Sequence, residues 1–194
     1  LITYYQGYKP LYRELDLLSP LDPEKVPNLK NLYPFFQGDE GSFWIDPDGK
    51  ASIATVAAAG NALPWTLRGP GAQHNIDGKA LWIRFDVTAV TTDRWFLELA
   101  SSGLDRVQLM HRKADGSWST EEAGDSRAVS DWPLPGRFPT FELETLPAQP
   151  VRYWLRVEHA RVNFATPIAV VSQSSLVASR EREQFLLGGL FSAY

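Results

Sequence analysis

The chain has 194 residues, of which 44% are hydrophobic and 12% aromatic, with a formal net charge of −4 and no cysteine. The apolar content excludes a disordered chain, and the length is enough for one buried core. Without cysteine neither a disulfide framework nor a thiolate zinc site can form, and without a basic block nucleic acid is not an expected partner.

Residues 1–41 carry Tyr4, Tyr5, Tyr8 and Tyr12, then Pro20, Pro23, Pro27 and Pro34. Proline lacks the backbone donor a ladder needs, so this stretch reads as an N-terminal arm or linker. A strand–turn–strand pattern begins near Ser42, and Asp46-Pro47-Asp48-Gly49 is its first turn. Residues 80–87 alternate strictly, with Leu81, Ile83, Phe85 and Val87 on one face and Trp82, Arg84 and Asp86 on the other. Strands are expected at 95–100 and 107–112, and a hairpin turn at 114–117 leads to Trp118. Further strands follow at 138–144, 151–159 and 167–173. The alternation returns in 151–158, with Val151, Tyr153, Leu155 and Val157 inward.

This spacing predicts an all-β antiparallel sandwich over residues 42–173. A helical pattern is expected only at 174–194, with Ser174 or Ser175 as its N-cap. Its end, residues 185–194, is an apolar run after Arg180-Glu181-Arg182-Glu183. Ten residues are too few to cross a bilayer, which takes about 20. The run reads either as the start of a transmembrane segment or as an amphipathic helix packed on the domain. The first residue is Leu1 rather than Met, which suggests a processed or trimmed product.

If the strands at 80–87 and 151–158 share a sheet, Trp82, Arg84, Asp86, Trp154, Arg156 and Glu158 form one surface. Indole faces stack on sugar rings, and guanidinium binds carboxylate in two-pronged fashion. The competing reading is a solvated face carrying cross-strand ion pairs. Arg137, His159, Arg161 and Asn163 lie at strand ends or loops, where binding residues concentrate. The candidate ligand-binding set is therefore Trp82, Arg84, Arg137, Trp154, Arg156, Glu158 and His159. No cofactor is expected. Asp46 and Asp48 hold part of an oxygen-rich calcium loop without its remaining acids, and turn chemistry accounts for them as well. Gly-x-Ser-x-Gly, His-Glu-x-x-His and phosphate-loop motifs are absent from the sequence, so no catalysis is expected of this domain.

A set of ordered segments resembles one family. They are Ile45-Asp-Pro-Asp-Gly49, Ser52-Ile-Ala-Thr-Val-Ala57, Ala80-Leu-Trp-Ile-Arg-Phe85, Trp95-Phe-Leu-Glu-Leu99 and Leu104-Asp-Arg-Val-Gln-Leu109. Gly124-Asp125, Arg137-Phe138, Tyr153-Trp-Leu-Arg-Val157 and a final Arg182-Glu-Gln-Phe-Leu-Leu-Gly-Gly-Leu-Phe191 complete it. From Ser42 onward the chain resembles the second type of extracellular domain of bacterial seven-transmembrane receptors with diverse intracellular signalling modules.

That resemblance implies a jelly-roll sandwich similar to carbohydrate-binding modules, on the periplasmic side of the inner membrane. It implies a transmembrane domain in the same polypeptide and a cytoplasmic output such as a two-component histidine kinase or a diguanylate cyclase. Some family members are linked to calcium or small organic ligands, so a carbohydrate or small carboxylated ligand is the expected partner. The arm at 1–41 has no counterpart there and could pack on a second copy in a homodimer. The alternatives are a carbohydrate-binding module of a secreted glycosidase and a structural dimerisation domain.

Overall fold

The computed structural model describes residues 41–67, 73–89, 93–146, 149–160, 164 and 168–181, together with the backbone of 35–36. Arg161, Asn163 and the apolar run 185–194 lie outside these residues, as does nearly all of the arm at 1–41.

Among the described residues ten strands form two antiparallel sheets. In chain order they are β1 (Phe35–Phe36), β2 (Ser42–Asp46), β3 (Thr66–Leu67), β4 (Ala80–Thr88), β5 (Trp95–Leu99), β6 (Arg106–Arg112), β7 (Trp118–Ala123), β8 (Thr140–Leu143), β9 (Pro150–Glu158) and β10 (Ile168–Ser172). The large sheet runs β3-β2-β4-β9-β6-β7, with β1 also paired to β4; the small one runs β10-β5-β8. The chain crosses between sheets at β4 to β5 to β6 and again from β7 through β10, the alternation that defines a jelly roll.

The two-residue alternation dictates this arrangement. Leu81, Ile83, Phe85 and Val87 of β4 meet Tyr153, Leu155 and Val157 of β9 and Leu97, Leu99, Phe141 and Leu143 of the small sheet in one buried core. Burial at about 25 cal/mol per Å² of apolar surface is the main force holding the two layers together.

The hairpin from β6 to β7 closes with Gly116 at φ 82° and Asp115 accepting from both the N–H and the hydroxyl of Ser117. Gly124 is required for another reason. A Cβ there would sit 2.8 Å from the carbonyl oxygen of Asp105, so only glycine lets the two backbones approach this closely.

Three features differ from the sequence reading. The first is a helix between strands, α1 (Ile53–Ala59). Ser52 caps it by accepting from the N–H of Thr55 at 3.2 Å, and Gly60 ends it. Second, the C-terminal helix α2 begins at 173, not after Ser174 or Ser175. Its cap is Ser172, whose Oγ accepts from the N–H of Ser175 at 3.3 Å. Third, Phe35 and Phe36 of the proline-rich arm pair with Thr88 and Val87, so the ladder reaches past Ser42 toward the N-terminus. Among the described residues no helix is long and apolar enough to cross a membrane.

Candidate functional site

β4 and β9 are direct neighbours, so the predicted surface exists as a single face. Trp82 lies opposite Arg156, Arg84 opposite Trp154 and Asp86 opposite Arg152. β2 and β6 continue the rows, with Trp44 beside Trp82, Gln108 beside Arg156 and Met110 beside Trp154. This is the outer face of the large sheet.

Water does not reach the middle of this face. The segment from β2 to β3 folds back over it, and Val56 of α1 packs with Ala80, Trp82, Met110 and Trp154 in a second apolar cluster. Trp44, Ala51, Ile53, Ala57, Leu63, Trp65 and Trp118 border that cluster. Five of the seven tryptophans thus gather on one side of one sheet. Trp82 is wholly buried, and Trp154 is only 9% exposed. A ligand resting on the closed face would meet the half-buried rings of Trp65 and Trp118 before either of them.

Both of these rings carry a guanidinium. The Arg84 head group lies 4.5 Å from the Trp65 ring centre, and Arg112 lies 4.5 Å from that of Trp118. Such contacts contribute roughly 0.5–1 kcal/mol at exposed sites. Arg84 also donates to Oδ1 of Asn61 at 2.9 Å, which ties β4 to the covering segment. Trp118 meets Trp154 edge to face at 5.2 Å. Next to them Arg152 grips Asp86 with two bonds of 2.7 Å.

Arg156 sits under the cover. Its Nη2 donates to the carbonyl of Gly49 at 2.8 Å and its Nη1 to Gln108 at 3.2 Å, while Glu158 pairs with it. Gln108 donates in turn to Glu122, which also accepts from Arg106 at 2.8 Å. Burial works against the charge on Glu122, but the donors Arg106 and Gln108 and the nearby Arg127 outweigh it and hold the carboxyl below its usual range. Arg156 and Glu158 therefore belong to a network across three strands, β9, β6 and β7, that pins the turn ahead of α1.

The remaining candidates lie elsewhere. Arg137 is in the loop leading to β8 of the small sheet, over the ring of Phe138. His159 is buried just past β9, with Nδ1 3.8 Å from Asp105. Asp105 itself accepts from the N–H of Ala160 at 2.6 Å. Both carboxyl oxygens of Asp46 accept backbone N–H groups, from Asp48 at 3.2 Å and Ala51 at 2.7 Å, and the Asp48 side chain is exposed. Among the described residues no cluster of three or more His, Cys, Asp or Glu has the geometry to hold a metal ion.

The sequence reading missed Trp44, Trp65, Arg112 and Trp118. Trp44 was legible, because it alternates with Phe43 and Ile45 in a strand the turn at 46–49 announces. Trp65 was not, because it lies in an irregular stretch whose path depends on the whole fold.

The two-sheet all-β sandwich agrees with the family comparison. The sequence model for the family described as 7TMR-DISM extracellular 2 matches residues 38–172, more than two-thirds of the chain. No curated protein matches the chain at a significant level. The chain therefore belongs to the 7TMR-DISM extracellular 2 family, the extracellular sensor domains of seven-transmembrane receptors.

Proposed function

We propose that this domain senses a small ligand on the periplasmic side of the bacterial inner membrane and passes the signal to the membrane domain of the same polypeptide. The ligand is a carbohydrate or a small carboxylated molecule, taken at the outer face of the large sheet. The observation that carries this reading is the pair of Arg–Trp contacts, Arg84 with Trp65 and Arg112 with Trp118, on either side of Trp154. Flat aromatic faces suit sugar rings, and guanidinium groups suit carboxylates. The rest of the candidate set takes supporting parts: Trp82, Arg156 and Glu158 hold the face in shape. Arg137 and His159 lie away from it and serve only a ligand that reaches the loops. A histidine kinase or diguanylate cyclase is the output this reading assigns to the parent receptor. Membership of a receptor family favours it over a module of a secreted glycosidase.

A ligand drives signalling only by binding one receptor state better than the other. The test is a thermal-shift screen of mono- and disaccharides, di- and tricarboxylates and calcium chloride, since a ligand that binds only the folded state raises the melting temperature. A hit should weaken at least tenfold in Trp118→Ala and Trp65→Ala with folding intact. A hit that both variants bind like the wild type would move the site off this face.

A further inference from the structure

The other side of the large sheet carries a polar cluster at the edge where β7 ends the large sheet and β8 ends the small one. Glu121 of β7 pairs with Leu109 of β6, whose side chain is in the core, so Glu121 also points between the sheets. His111, two residues on from Leu109, shares that face, and its ring lies 5.2 Å from the ring of Tyr153. Only 7% of His111 is exposed. Its Nε2 is 3.0 Å from Oε2 of Glu144, just after β8, without the alignment of a hydrogen bond. The hydroxyl of Tyr153 donates to the backbone carbonyl of the same Glu144 at 2.7 Å. Two contacts from the large sheet thus converge on one residue next to the small one.

Two buried polar atoms of this cluster lack a hydrogen-bond partner: Nε2 of His111 and Oε2 of Glu121. A buried polar atom left without a hydrogen bond is costly, so its persistence calls for an explanation. Both atoms are sealed from solvent, which leaves a metal ion or an organic cation no approach unless the edge opens. A proton needs no such room.

We propose that His111, Glu121 and Glu144 form a proton-responsive latch between the two sheets, through which the domain registers external acidity. The charged groups facing Glu121 pull in both directions, and those that raise its proton affinity prevail. Burial raises its carboxyl pKa above the usual range; His111 of β6 opposes the rise, while Glu142 of β8 and Glu144 reinforce it. Arg94 grips Glu142 at 2.6 and 2.5 Å, and the Tyr153 phenol stays neutral because burial pushes its pKa far up. A proton on Glu121 removes a like charge facing Glu142 and Glu144 and turns Oε2 from an orphaned acceptor into a donor. Because the folded state holds this proton more tightly than the unfolded one, ionised Glu121 penalises folding at neutral pH. The penalty shrinks as pH falls through the folded midpoint and is gone below the unfolded value of about 4.3. Acid therefore tightens this edge.

The latch does not rest on the ligand reading, since it faces the core and Trp65 and Trp118 lie on the outer face. The test is a side-chain carboxyl NMR titration of the 194-residue chain, with melting curves across pH for the wild type and Glu121→Gln. Glu121 should titrate above the exposed glutamates, and the ring signals of His111 and Tyr153 should move with its midpoint. Glu121→Gln should melt higher than the wild type at neutral pH, with the gap closing in acid. Titration together with the exposed glutamates, static ring signals or a pH-independent gap would each overturn the latch. If Glu121→Gln fails to fold, Glu144→Gln decides: the Glu121 midpoint should fall, and an unchanged midpoint sinks the proposal. An empty ligand screen beside an intact titration would count against the outer-face site alone.

Discussion

Arg156 reaches from the middle of β9 to the backbone of Gly49, donating to its carbonyl at 2.8 Å. That contact joins the sheet to the turn from which α1 starts, and the Arg156 guanidinium also lies 5.9 Å from the ring centre of the buried Trp82. The side chain is 11% exposed, so its bonds are made largely out of water. Hydrogen bonds to a charged group contribute about 1.5–3 kcal/mol. Arg156→Ala should lower unfolding stability by about that much in urea titrations. An unchanged midpoint would show that the turn is held by Asp46 alone.

Trp82 and Trp118 stand on the same face with opposite duties. Trp82→Ala opens a cavity beneath α1 and should cost about 3–5 kcal/mol. Trp118 is half-buried at the rim, so Trp118→Ala should cost clearly less and leave a folded domain. Chemical denaturation of the two variants side by side checks the ranking. Equal losses would mean that Trp118 is as much a core residue as Trp82.

Tyr153 ties the sheets together through one hydroxyl. Tyr153→Phe keeps the ring, which stacks on Phe85 at 5.7 Å, and removes only the bond to the Glu144 carbonyl. The expected loss is about 1–2 kcal/mol, with faster amide exchange confined to residues around Glu144. Exchange that rises throughout both sheets would contradict a local role.

Arg94 and Glu142 make a two-pronged pair on the small sheet, but both side chains are about half exposed. The bond from Arg94 holds the Glu142 carboxyl below its usual range, with burial opposing. A lowered folded pKa means stability that is present above the unfolded value and lost as pH falls through the folded one. At this exposure solvent screening leaves the pair only a small contribution. Glu142→Gln should therefore lie close to the wild type at neutral pH and closer still in acid. A large loss at neutral pH would show that the pair works as part of the neighbouring cluster.

The strands that carry most of the core were legible because burial of one face imposes a period of two. β4 and β9 show that period over their whole length, and β5, β6, β8 and β10 fall close to the predicted ranges. β7 was harder: Trp118-Ser-Thr-Glu-Glu-Ala123 is an edge strand with little apolar content, and only the turn before it gave it away. The helix α1 had its signals, with Ser52 ahead of an alanine-rich run and Gly60 after it. Seven residues are short enough for a strand reading to pass over them. For the candidate site, the row of Trp82, Arg84, Trp154 and Arg156 could be read as soon as β4 and β9 were taken as neighbours. That Trp82 is covered could not. Its cover is a segment between two other strands, and a local pattern holds no information about where such a segment folds.

The large sheet separates two apolar clusters of unequal size. The inner one joins seven buried side chains from β4 and β9 to the small sheet, whereas the outer one depends on a single short helix and its flanking turns. A helix of this length has little stability of its own and keeps its shape through the face it buries. Release of that helix would uncover Trp82 and Trp154 while the inner layer stays closed, so the molecule can open in part without unfolding as a whole. Amides of α1 should then exchange by a route that those of β4 and β9 do not share. The domain would have two stabilities, one for the scaffold and a lower one for the surface that meets the outside.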